Sequence, residues 1–299
     1  MRYINITGSI MICLVIGSCG SEQSESTTKS QTDYSTPVTD TSEVYKRAKE
    51  VFYSLPSPLE LSAILRKADG QFRKDLLHDP KKANIYQSTQ NRAMALGVYG
   101  ADLGYSTVYG EQGDAVKFLA ASKRIGETIG IQEAFSAETI ERANANLDNR
   151  DSMMAIMSDM YWLTNSQLKE ENRDQIALMV IAGGWAEGLF IGCNVHDDSD
   201  SKTNVMNRMA EQKYASSQLQ EMFNQLDDDY MINEVGEMFA PVFNFFSNLE
   251  IEEGEKSITK NNEDGSHTIG GANNIEMTPQ KFQELKSIAT ELRTKIVQP

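Results

Sequence analysis

The chain has 299 residues, with 43 acidic side chains against 28 basic ones, a net charge of −15 at neutral pH and a hydrophobic share of 40%. Acidity on this scale repels the phosphates of nucleic acid and anionic lipid head groups, so neither is an expected partner. Three cysteines, Cys13, Cys19 and Cys193, offer no disulfide framework, and the fold must rest on its apolar core.

The first residues, "MRYINITGSIMICLVIGSCGSE", join a basic start at Arg2 to an apolar run from Ile10 to Ile16 that is too short for a permanent membrane span. This is the layout of a secretory signal over residues 1 to 18. Its end, Ile16, Gly17, Ser18 and Cys19, resembles the bacterial lipobox, in which the cysteine is lipidated and becomes the mature N-terminus. The resemblance implies diacylglycerol on Cys19 and usually a third, palmitate-like acyl chain. Two or more chains anchor stably, because each buried methylene contributes about 0.8 kcal/mol. Gly20, in place of the aspartate that retains enterobacterial lipoproteins at the inner membrane, points by analogy to an outer-membrane anchor with the body facing the periplasm or the cell surface. Removing residues 1 to 18 takes away Arg2, the one charge there, and moves the net charge from −15 to −16.

Residues 19 to 40 are rich in Ser, Thr and charge and carry little to bury, so they read as a flexible tether. Its reach is roughly 25 Å root-mean-square. Residues 41 to 299 are long enough for one large core and read as a single helical domain.

Helical periodicity predicts elements at about 42–54, 57–69, 84–108, 115–129, 136–147, 151–168, 171–193, 202–226, 229–250 and 278–297. Ser42, Ser57 with Pro58, Ser136 and Thr278 with Pro279 supply start signals, and Gly130 supplies a stop. Between the last two helices, Ile258 and Ile269 flank a polar turn with Asp264 and Gly265, which predicts a small β-hairpin. The expected fold is all-α, an array or bundle of packed antiparallel helical hairpins with that hairpin before the C-terminal helix.

The stretch "GVYGADLGYSTVYG", residues 97 to 110, poses a problem, because each interior glycine costs a helix about 1 kcal/mol relative to alanine. Residues 182 to 192, "AGGWAEGLFIG", repeat its texture, "ADLGY" lying beside "AEGLF". Small residues every three or four positions leave a smooth stripe along which another helix can approach closely, and the two segments suggest a weak internal repeat of helical hairpins. The pattern over residues 95 to 131, taken with Cys19, resembles a group of uncharacterised lipoproteins from Bacteroidota built from packed helical hairpins. That resemblance implies a fold and an envelope location; it implies no activity.

Asp102 and Glu187 stand inside these apolar segments, where a charge is costly without a partner. One reading has the two carboxyls meeting across a helix interface to bind a cation or share a proton. The other puts both on polar helix edges, or pairs them with Arg92 or Lys117. Tyr99, Tyr105, Tyr109, Trp185 and Phe190 either line a groove for a peptide or protein segment or fill the core.

Residues 176 to 193, with the series Gly184, Gly188 and Gly192, approach the composition of a membrane span, but Glu187 near the middle argues for a buried central helix. Met154, Met157 and Met160 have the spacing of a soft-metal site and equally that of a core face next to Ala155, Ile156 and Trp162. The acidic runs at 196 to 201 and 227 to 229 fail the EF-hand pattern, since Lys202 stands fifth from Asp198 and no glycine follows, and read as a solvated loop and a helix start. His78, His196 and His267 are scattered, and no HExxH, GxSxG, phosphate loop or dinucleotide fingerprint occurs. No metal or cofactor is expected, and the inventory weighs against an enzyme. The functional expectation is a lipid-anchored envelope binding or scaffolding protein with a protein or peptide partner. Its rival is a hydrolase or metal-binding protein using paired carboxylates.

Overall fold

A computed structural model describes residues 58–67, 70–195, 202–226, 229–252, 257–260, 267–270 and 274–298. The signal, Cys19, the tether, the helix expected at 42–54 and the acidic run at 196–201 lie outside the described residues. Ten α-helices lie within the described residues, in chain order: α1 (Pro58–Lys67), α2 (Thr89–Tyr109), α3 (Gln112–Thr128), α4 (Ala137–Ala145), α5 (Arg150–Glu170), α6 (Asp174–Asn194), α7 (Lys202–Ala210), α8 (Gln212–Asn224), α9 (Tyr230–Ser247) and α10 (Pro279–Val297). Short 3-10 turns at Lys74–Leu76 and Pro80–Asn84 join α1 to α2. The all-α expectation holds.

The core is organised around α2 and α6. Ser88 starts α2 by accepting the Asn91 N–H at 3.0 Å, and Gly110 ends it at φ +78°, a left-handed turn that glycine adopts without a Cβ clash. The helix therefore begins at 89 rather than 84, because Pro80 and the Asp79 cap on Lys81 tie the preceding residues into a 3-10 turn. Helix α6 has a mean hydropathy of 1.8 over its most apolar 18 residues, and 94% of them are buried within the protein, so its composition serves a core.

The glycines of the 97–110 stretch part company here. A Cβ on Gly97 would strike the Val180 carbonyl and come within 2.5 Å of the Gly184 nitrogen, and one on Gly183 would strike the Met94 backbone. Two backbones touch at this crossing, and only glycine permits it. Leu65 and Arg66 of α1 reach Gly192 near the end of α6 and the Val108 carbonyl near the end of α2, so the two central helices advance in the same sense.

Around this pair, α3 returns antiparallel along α2 after Gly110, α1 and α5 cover α2 and α6, and α10 lies across α6 and α9. Helices α8 and α9 form a hairpin whose Phe223, Phe239 and Phe243 pack as a cluster with ring centroids 5.6–5.8 Å apart. Asp229 caps α9 through the Met231 and Ile232 N–H groups, the role read for the second acidic run. The single helix expected over 202–226 breaks at Glu211 into α7 and α8. Of the methionine run on α5, Met157 and Met160 are buried with Ile156, but Met154 is only half-buried and Met153 takes the core position instead, while Ala155 and Trp162, expected beside them in the core, are exposed.

Four short strands precede α10: β1 (Ile251–Glu252), β2 (Ser257–Lys260), β3 (His267–Gly270) and β4 (Asn274–Ile275). Strands β2 and β3 pair antiparallel with Ile258 opposite Ile269, and β1 pairs with β4.

Candidate functional site

Asp102 on α2 and Glu187 on α6 are both fully buried and interact directly. The crossing at Gly97 and Gly183 brings the two helices together, and the carboxyls follow a turn or so further along each. Neither of the expected alternatives for them, a polar helix edge or a partner in Arg92 or Lys117, is what the structure holds. Arg92 Nε donates to the Tyr86 carbonyl at 3.1 Å, and Lys117 pairs with Asp114 at 2.9 Å, which Lys74 also reaches at 2.8 Å.

The cation is Arg293 of α10. Its guanidinium forks onto Glu187, Nε to Oε2 at 3.0 Å and Nη2 to Oε1 at 3.3 Å, and lies over the Phe190 ring with 4.9 Å to the centroid. The same Nη2 reaches the Leu76 carbonyl at 3.4 Å. Asp102 Oδ2 accepts the His78 N–H at 3.0 Å, while Oδ1 meets no N–H or O–H donor among the described residues. Burial pushes the Asp102 carboxyl well above its usual range, and the neighbouring Glu187 charge pushes it further. Burial also raises Glu187, against the opposing pull of Arg293. Of the two, Asp102 is therefore the carboxyl that more readily keeps a proton. With that proton Asp102 donates to Glu187, which leaves one carboxylate facing one guanidinium, a neutral set.

The segment between the two 3-10 turns closes this knot. The His78 ring shares a 2.8 Å hydrogen bond between Nε2 and Tyr86 Oη, and Tyr99 Oη donates to the Asp79 carbonyl at 2.9 Å. Burial, aided by the positive charges of Arg293 and Lys82, pushes His78 down to about 4. Burial pushes Tyr86 up to about 12 and raises Tyr99 as well.

The five aromatics do not line one open groove. Tyr99, Tyr105 and Trp185 are sealed, and Tyr109 and Phe190 are half-buried. Tyr105 and Tyr109 donate to the Gln71 and Gly70 carbonyls at 2.7 and 2.6 Å and pack on Phe72, whereas Trp185 donates to Gln212 Oε1 at 3.1 Å and packs on Phe239 and Phe246. Their hydroxyls and indole satisfy loop carbonyls and a buried amide, which is core work.

Sequence reasoning missed Arg293 and His78. A signal for Arg293 existed: it stands between Leu292 and Ile296 on the face of α10 that also buries Ala289, a cation on an apolar stripe. His78 carries no comparable signal.

On the other side of α2 lies a cavity of about 100 Å³ between α2, α3, α5 and α6, with no charged residue in its lining. Comparison with protein-family models, curated proteins and solved structures gives no match. Chemically, the knot ties α10 and the 76–86 segment to the central helix pair, and its carboxyls are out of reach of any substrate. The cavity, unlike the knot, opens toward solvent.

Proposed function

We propose that this chain is a lipid-anchored protein of the cell envelope that binds its ligand and does not convert it. The supporting observation is the contrast between sealed and open features: both carboxyls that acid-base chemistry would use are fully buried, while an uncharged cavity opens beside Ser158 and Tyr161. Paired acids acting on a glycoside need an accessible cleft that admits substrate and water. A hydrolase reading built on Asp102 and Glu187 lacks one. The anchoring half of the proposal rests on the leader and the Cys19 motif, and the outer membrane is the proposed site, as in the Bacteroidota lipoproteins the sequence resembles.

An envelope protein or peptide is the proposed macromolecular partner. The test is a crosslinked pull-down of the native chain from whole envelopes beside its Cys19→Ala form. A stoichiometric protein lost together with membrane association supports a tethered scaffold. A Cys19→Ala chain that remains membrane-bound refutes the anchor, and an empty pull-down refutes the protein partner and leaves small-molecule binding.

A further inference from the structure

We infer that the cavity between α2, α3, α5 and α6 is a binding site for a small uncharged molecule of about one ring's size, mainly apolar, with one hydrogen-bonding group directed at Ser122. This rests on the binding reading above and names its ligand class.

Three observations carry it. The first is Ser122 on α3, which is only 2% exposed, whose Oγ has no hydrogen-bond partner among the described residues, and which lines the cavity. A buried hydroxyl ordinarily finds a partner, because an unmade hydrogen bond in a dry site is costly. A ligand hydroxyl or carbonyl at the cavity floor supplies one.

The second is Gly100. Gly97, one helical turn earlier, is explained by the crossing with α6, yet a Cβ on Gly100 would meet nothing within 4 Å among the described residues. Helix packing therefore does not require glycine there, although glycine weakens the helix. What Gly100 does is keep the cavity wall open at a half-exposed position of α2.

The third is the chemistry of the walls. Leu103 and Val180 line the buried part, Phe135 and the adaptable side chains of Met157 and Met160 add to the wall, and exposed Ser158 marks the mouth. A charged head group would lose hydration there with no counter-charge to meet it, so the ligand is neutral. Size agrees: apolar cavities of about 150 Å³ hold a benzene ring, and this one, at about 100 Å³, opens outward at one end.

The test uses the full chain carrying Cys19→Ala, so that no attached lipid competes, and measures phenol, toluene and benzoate by titration calorimetry. Phenol is expected to bind, toluene more weakly, and benzoate at least tenfold more weakly than phenol. Ser122→Ala should bring phenol down to the affinity of toluene and leave toluene unchanged. Gly100→Leu should weaken phenol and toluene at least tenfold. Ser158→Trp, at the exposed rim where folding is not at stake, should do the same by blocking the mouth. Absence of phenol binding, benzoate binding as well as phenol, or Ser122→Ala weakening both neutral probes equally would each overturn the inference. So would phenol binding that survives both filling variants. A failed pull-down with intact phenol binding would overturn the scaffold reading alone.

Discussion

Helix α2 meets two unlike environments. On one side Asp102 faces Glu187, Arg293 and His78 in a polar knot with no solvent access; on the other Leu103 and Gly100 face an uncharged cavity that opens outward. Both contain a buried polar atom that no N–H or O–H donor among the described residues reaches, Asp102 Oδ1 in the knot and Ser122 Oγ in the cavity. The knot solves the problem internally, since an acid can keep its own proton and donate it to Glu187. Ser122 has no such neighbour, and its solution must come from outside the chain. Orphaned polar atoms alike in burial thus point to opposite roles, one to cohesion and one to binding.

The largest expected effect breaks the knot. Arg293→Met removes the cation and leaves a fully buried carboxylate unpaired, which should cost about 3–5 kcal/mol in denaturant unfolding. Adding Glu187→Leu to Arg293→Met should recover most of that loss, because the penalty lies in the uncompensated charge and not in the missing bridge. A single variant that loses less than about 1 kcal/mol would mean the pair is not shielded from water as its burial implies.

Next in size is the crossing that brings the knot together. Gly97→Ala puts a methyl group against the Val180 carbonyl and the Gly184 nitrogen, both backbone atoms that no side-chain rotation relieves. The helices must separate, and a loss of about 1–3 kcal/mol is expected, or more, as for overpacked cores. An unchanged midpoint in urea would contradict the close approach.

These two regions also differ in how much the sequence revealed. Helix starts at Ser136 and Thr278 and the central, buried place of α6 follow from caps and composition, which act over a few residues. The importance of Asp102 and Glu187 was legible from the cost of an acid in an apolar helix, but not their surroundings. Helices α2 and α6 are buried nearly all round, so neither has a polar edge for periodicity to locate. Arg293 lies 106 residues from Glu187, and no local pattern links them. The same limit hid the cavity: the spacing of Gly97, Gly100 and Gly104 reads as one smooth stripe, although Gly97 touches another backbone and Gly100 touches nothing.

The pH dependence of stability separates the members of the knot. His78 binds its proton at about 4 in the folded chain against an ordinary 6.5, so between these values the unfolded state holds more protons. Stability from this group is full above pH 6.5 and is lost as pH falls through 4, with a slope of at most about 1.4 kcal/mol per pH unit. Asp102 acts in the opposite sense. Its raised folded value makes the native state hold the extra proton, so its contribution is greatest below the ordinary carboxyl range and declines as pH rises through that raised value. Urea titrations from pH 4 to 8 should therefore show His78→Gln losing the rising limb and Asp102→Asn losing the falling one. Asparagine keeps a donor toward Glu187, so Asp102→Asn should stay folded at pH 7. Curves that superimpose on the parent for both variants would show that neither group titrates differently on folding.

The smallest effect is the most discriminating, because it sets two glycines of one helix against each other. Gly100→Ala adds a methyl group where nothing stands within 4 Å, in a residue whose backbone is helical. It should therefore stabilise the chain by about 0.5–1 kcal/mol through lower unfolded-state entropy and better helix propensity, the opposite sign to Gly97→Ala. The same methyl group begins to fill the cavity mouth, so phenol affinity should fall while the melting temperature rises. A site that trades stability for an open wall must show the two changes together. A Gly100→Ala chain that is more stable and binds phenol as before would mean the glycine leaves room that the ligand does not use.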